Sequence, residues 1–148
     1  MKDFIETVRE TLALEPIDRP ELLKPLDLAY MGDNVYEMLN RMIAMSQGSR
    51  PVQKLHRECT GRASAVTQAK IADFLFDSLT EEEQKVYLRG RNAEVYTKAK
   101  NATIQEYHKA TGLEAVIGYL FLKGEYERLC TLLQNGFTEI GCVWKKKD

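Results

Sequence analysis

Two acidic residues stand in helical patterns that are otherwise apolar. Asp33 lies in LAYMGDNVYE (residues 28–37) and Glu114 in TGLEAVIGYLFL (residues 111–122). Each keeps a glycine close by, Gly32 directly before Asp33 and Gly118 one turn after Glu114. A charge on the buried side of a helix is costly unless something pairs with it or coordinates it. Two carboxylates far apart in sequence can share one partner, and a divalent cation suits both. Mg²⁺ takes oxygen ligands and commonly uses one or two protein carboxylates, with Mn²⁺ as a possible substitute. Both acids also have ordinary readings, an N-cap or surface acid for Asp33 and a solvent-facing residue for Glu114. Glu37, one turn after Asp33, is either a reserve acid or a surface partner of Arg41.

The elements that must position these groups read as helices. Phe4, Ile5, Val8, Leu12 and Leu14 keep roughly helical spacing before Pro16 and Pro20 break the chain. A long helix is predicted from Leu26 to about Ser46, closed by Gly48, and Pro51 opens the next in its first turn. Val66–Leu79 reads as a helix, and Thr80 with Glu83 forms a capping-box pattern for another that ends near Gly90. From Ala102 a helix, or two broken near Gly112, leads to Leu122, and Lys123-Gly124 stops it. The last is predicted over Glu125–Asn135, ended by Gly136. Only Phe137–Trp144 has strand character, and Lys145–Lys147 reads as frayed. The expected class is all-α, with residues 1–148 as one domain. If the helices of Asp33 and Glu114 cross near Gly32 and Gly118, the two carboxylates converge.

Composition limits the function classes. In 148 residues, 44% are hydrophobic and 29% charged, as in a folded soluble domain. The longest apolar run, Ala115–Leu122, is far too short to cross a bilayer, and MKDFIETVRE lacks the apolar run of a secretory signal. Cys59, Cys130 and Cys142 are odd in number and show no paired spacing, which fits reduced thiols and a cytoplasmic location. A net charge of −1 hides an uneven distribution: residues 1–40 hold nine acidic and four basic side chains, residues 41–101 seven acidic and eleven basic. The basic excess concentrates around Arg50–Arg62 and Lys85–Lys100. Such clusters mark either a polyanion site or solvated helix faces.

The wording of the two motif stretches says more. GDNVYE followed by EAVIGYLFL resembles the catalytic domain of ribonuclease III. The closer resemblance is to its catalytic-domain-only branch, Mini-ribonuclease III, since the chain ends before a double-stranded-RNA-binding domain could fit. LHRECTGRASAVTQAK (55–70), LTEEEQKVYLRGRNA (79–93) and KNATIQEYHKATGLEA (100–115) continue the likeness, which covers about residues 20–136 and leaves a tail at 137–148. Two departures stand out. Larger ribonuclease III enzymes carry a glutamate four residues before the GD aspartate and an aspartate three before the EAxIG glutamate. This chain has Ala29 and Thr111 there.

The resemblance implies a Mg²⁺-dependent endoribonuclease that cuts double-stranded RNA to 5′-phosphate and 3′-hydroxyl ends, in maturation of the 23S ribosomal RNA precursor. Asp33 and Glu114 would be the catalytic metal ligands, and Thr111 could hold a water through its hydroxyl. It also implies a homodimer joined along the GD helix, with Tyr30, Met31, Tyr36, Met38 and Met42 as candidate contacts, and a possible ribosomal protein helper. For gripping RNA the candidates are His56 and Arg57 in one basic cluster and Arg91, Asn92, Lys100 and Asn101 in the Arg89–Asn101 segment. The missing acids leave a second reading open, a ribonuclease III-like RNA-binding or ribosome-associated module without activity. A helical interaction protein with no nucleic-acid role is a third.

Overall fold

In a computed structural model, which describes residues 3–94 and 102–142, the chain forms seven α-helices and no strand among the described residues. They are α1 (Phe4–Thr11), α2 (Pro25–Ser46), α3 (Val52–Ala63), α4 (Ala65–Leu75), α5 (Glu81–Arg91), α6 (Ile104–Lys123) and α7 (Tyr126–Glu139). Short 3-10 turns at Pro20–Leu22 and Phe76–Ser78 lead into α2 and out of α4.

Local chemistry explains the boundaries. Pro25 opens α2, where a missing N–H costs nothing, and Gly48 takes a φ of +112° just beyond its end. Ser64 ends α3 and caps α4, its hydroxyl accepting from the Thr67 backbone N–H. Reciprocal capping boxes start α1 (Asp3 and Glu6), α5 (Thr80 and Glu83) and α6 (Thr103 and Glu106).

Helix α6 runs through the middle and packs against α2, α4, α5 and α7. From Ala110 to Leu120 nearly every residue is buried, Glu114 being the half-buried exception. Leu28 and Val35 from α2, Ile71 and Leu75 from α4, and Leu133 and Phe137 from α7 close around it. Full burial of each such aliphatic side chain contributes roughly 1.5–3 kcal/mol. Glu83, 4% exposed, accepts from Arg128 at 3.0 and 2.8 Å, which ties α5 to α7. No helix among the described residues is long and apolar enough to cross a membrane.

Several predicted elements need correction. Of the two alternatives at Gly112 the unbroken helix holds, and the break does not: a side chain there would strike the Tyr87 ring at 2.8 Å, so the glycine serves packing. Helix α7 likewise passes Gly136, which lies against Ile71, and carries Phe137 into the core beside Tyr36. The strand expected from Phe137 is therefore helix as far as Glu139, while the Lys145–Lys147 tail lies outside the described residues. Helix α4 stops at Leu75, short of Leu79, with the Phe76–Ser78 turn between.

Candidate active site

Helices α2 and α6 cross backbone on backbone. A Cβ on Gly32 would stand 1.7 Å from the Glu114 carbonyl oxygen, and one on Gly118 would stand 2.0 Å from the Leu28 carbonyl oxygen. No side chain fits in either gap. The crossing sets Asp33, next after Gly32, beside Glu114, and both line one cleft of about 420 Å³. Asp33 is exposed at the cleft, which corrects the expectation that it sits on a buried face. Glu114 is half-buried.

Asp33 perturbs Glu114. Burial, then the charge of Asp33 and a hydrogen bond with it, push the Glu114 carboxyl up to about 8. Among the described residues no lysine or arginine lines the cleft, so none of their cations sits against this pair. A proton or an added cation would relieve it. Ala29 and Thr111 line the same cleft, so the two positions where carboxylates are missing belong to the site itself. The Thr111 hydroxyl donates to the Tyr107 carbonyl at 3.0 Å, leaving its lone pairs as acceptors. No group of three or more His, Cys, Asp or Glu side chains gathers among the described residues. Glu37 is not a reserve acid of this cleft. It accepts from Arg41 at 2.9 Å and lines a separate groove.

Of the candidate RNA contacts, those among the described residues do not line this cleft. Arg91 and Asn92 line a pocket of about 620 Å³ with Gln105, Lys109 and His108, whose Nδ1 is buried without a hydrogen-bond partner. Lys100 and Asn101 lie outside the described residues. His56 and Arg57 are exposed but face different grooves, His56 beside Glu37 and Arg41, Arg57 beside Lys70 and Glu139.

Part of the basic excess is structural. Arg50 donates to Glu58 and to the Ala44 carbonyl, Arg62 to Asn40, and Arg89 to the carbonyls of Glu21 and Leu23 at 2.9 and 3.0 Å. Of the candidate dimer contacts, Tyr36 is core, 1% exposed with its hydroxyl donating to the Arg62 carbonyl, and Met31 packs against the core. Tyr30, Met38 and Met42 are 84%, 43% and 58% exposed.

Sequence reasoning passed over Gln68, which lines the cleft from α4 while only 4% exposed. The signal was there: an amide side chain among Ala65, Val66, Ala69, Ile71 and Ala72 interrupts an apolar pattern as Asp33 and Glu114 do.

Comparison with known proteins gives one consistent result. The ribonuclease III domain matches residues 26–125. A Mini-ribonuclease 3 from Symbiobacterium thermophilum is 44% identical over 115 residues, spanning 78% of this chain and 88% of that protein. One from Staphylococcus aureus is 43% identical over 121 residues, spanning 80% and 90%. The fold recurs in a crystal structure of a Fusobacterium nucleatum protein, with a TM-score of 0.72 at 24% identity over 80% of this chain and 94% of that one.

Proposed function

Since the chain belongs to the Mini-ribonuclease III branch of the ribonuclease III family, and is an endoribonuclease of that family, we propose that it cuts double-stranded RNA with a divalent cation held between Asp33 and Glu114. The observation that carries this is the meeting of the two carboxylates in one cleft, with Glu114 pushed up to about 8 by burial and by the charge of Asp33. A site short of positive charge and rich in hard oxygen donors fits Mg²⁺, with Mn²⁺ as substitute.

When bound there, the cation supplies a more acidic water and stabilises charge on the phosphoryl and leaving oxygens. The chain's own residues do the rest. Asp33, exposed at the cleft, would hold the cation together with Glu114, which must release its proton as the cation enters. In-line attack of water on phosphorus breaks the bond to the 3′ oxygen and leaves 5′-phosphate and 3′-hydroxyl ends.

Duplex RNA is gripped mainly through phosphates and 2′-hydroxyls. Arg91, Asn92, Lys100 and Asn101 would hold one stretch, and His56 and Arg57 another. Cutting both strands calls for two sites related by a two-fold axis, which a homodimer supplies. The exposed Tyr30, Met38 and Met42 on α2 are its apolar contacts, and Tyr30 also borders the cleft. The substrate is the 23S ribosomal RNA precursor in the cytoplasm, with a ribosomal protein as possible helper and residues 1–148 working as one catalytic domain.

A long RNA duplex with Mg²⁺, given to the wild type, to Asp33→Asn and to the wild type with a chelator, tests the reading. Cutting by the wild type alone, with 5′-phosphate products, is expected, Asp33→Asn losing roughly 10²-fold or more in rate. Ala29 and Thr111 favour one alternative, a non-cleaving RNA-binding module. A duplex bound but uncut in both Mg²⁺ and Mn²⁺ would establish it.

A further inference from the structure

Gln68 is buried, lines the Asp33–Glu114 cleft, and has one polar end unused. Its Nε2 donates to the Ala63 carbonyl at 3.0 Å, while Oε1 has no hydrogen-bond partner. The orientation of the amide is not arbitrary: a carbonyl only accepts, so the nitrogen must face Ala63 and the oxygen must be the free end. A buried acceptor without a partner is rare in folded proteins, and where one occurs it commonly waits for an ordered water, an ion or a substrate group. Three helices thus bring oxygen-bearing side chains to the lining of one cleft, α2 through Asp33, α6 through Glu114 and α4 through Gln68.

The size of the missing donor follows from burial. Gln68 is 4% exposed and its oxygen is almost wholly covered, so a ribose on an RNA duplex has no room to reach it, and a donor there is at most the size of a single water. Mg²⁺ sheds its waters reluctantly and keeps several when few carboxylates bind it. With Ala29 and Thr111 contributing no charge, more of those waters need acceptors from the protein than in a four-carboxylate site. We propose that Gln68 is a positioning residue, its Oε1 accepting a hydrogen bond from the hydration shell of the cation that Asp33 and Glu114 hold. The inference rests on the metal-dependent reading of the cleft and adds a partner to it. Partners of this kind fix a cation's orientation and typically change its affinity or the activity when removed.

Binding of Mn²⁺ alone, followed by electron paramagnetic resonance of the free ion, tests this on the wild type, Gln68→Leu, Gln68→Glu and Asp33→Asn. Melting by circular dichroism accompanies it, as does the Mg²⁺ dependence of cleavage. Gln68→Leu removes both amide ends, whereas Gln68→Glu keeps an oxygen and loses the donor to Ala63. The expected result is Mn²⁺ binding weakened roughly 10–100-fold in Gln68→Leu, with a parallel rise in the Mg²⁺ needed for half-maximal cleavage. Metal-free duplex binding should be unchanged, and Gln68→Glu should bind Mn²⁺ at least as well as the wild type. If Gln68→Leu binds like the wild type, the inference is wrong. Equal weakening in both variants would also overturn it, since the bond to Ala63 would then be what matters. A wild type that binds no better than Asp33→Asn and does not cut overturns the metal reading itself, a result distinct from Asp33-dependent binding that ignores Gln68.

Discussion

Asp33 acts on Glu114 in the same direction as burial: both favour the neutral acid, and together they push Glu114 up to about 8. The folded, metal-free chain therefore holds a proton that the unfolded chain has released above its ordinary value of 4.5. Stability from this group is fully present below about pH 4.5 and is lost as pH rises toward about 8. Thermal melts across that window should show the metal-free wild type losing stability relative to Glu114→Gln, which has no proton to lose. Mg²⁺ competes with the same proton, so its stabilising effect should be larger at the alkaline end. Parallel curves for the two proteins would dissociate Glu114 from the effect.

The glycine crossing predicts a severe effect from the smallest substitution. Gly32→Ala and Gly118→Ala each place a methyl group within 2.0 Å of a backbone carbonyl oxygen, which cannot rotate away. Separating the helices should cost about 3 kcal/mol or more, and each kcal/mol lowers the melting temperature by roughly 2–4 °C at this chain length. Gly61→Ala is the control, since nothing lies within 4 Å of its Cβ position. Equal melting of all three would refute the close approach.

Dimerisation through α2 predicts a sedimentation mass twice that of the 17.0 kDa protomer at micromolar concentration. Met42→Glu, at an exposed position, should shift the mass to the single protomer while leaving the helical signal unchanged. A wild type already at the protomer mass would sink the proposal.

The grip on RNA predicts a steep salt dependence. Removing charge at Arg91 and Lys100 together should reduce the slope of log affinity against log salt by about 1–2. Arg89→Ala should act differently, lowering stability because its guanidinium holds the Glu21 and Leu23 carbonyls. An unchanged slope in the double variant would remove this segment from the RNA surface.

The sequence made the helical class legible because periodic apolar spacing and the Thr80–Glu83 capping box are local signals. The convergence of Asp33 and Glu114 was legible for another reason: a glycine beside each acid marks where backbones meet. The same residue type misled at Gly136 and left Gly112 ambiguous, since a glycine that admits a neighbouring side chain looks identical in sequence to one that ends a helix. Charge clusters were ambiguous in the same way. Arg50, Arg62 and Arg89 resemble RNA contacts until their carbonyl and side-chain acceptors, some from distant parts of the chain, are seen. Gln68 was missed because it carries no charge to draw attention, and its free oxygen exists only through what Ala63 does to the other end of the amide.

Because α2 and α6 touch through main-chain atoms, the gap between the two carboxylates is measured by a ruler that every sequence shares. Leu28, Ile71 or Leu133 can drift in size and change how firmly the domain holds together, yet none of them calibrates that gap. The chemistry is thereby insulated from the evolution of the core, and the toll falls on two positions that must remain glycine.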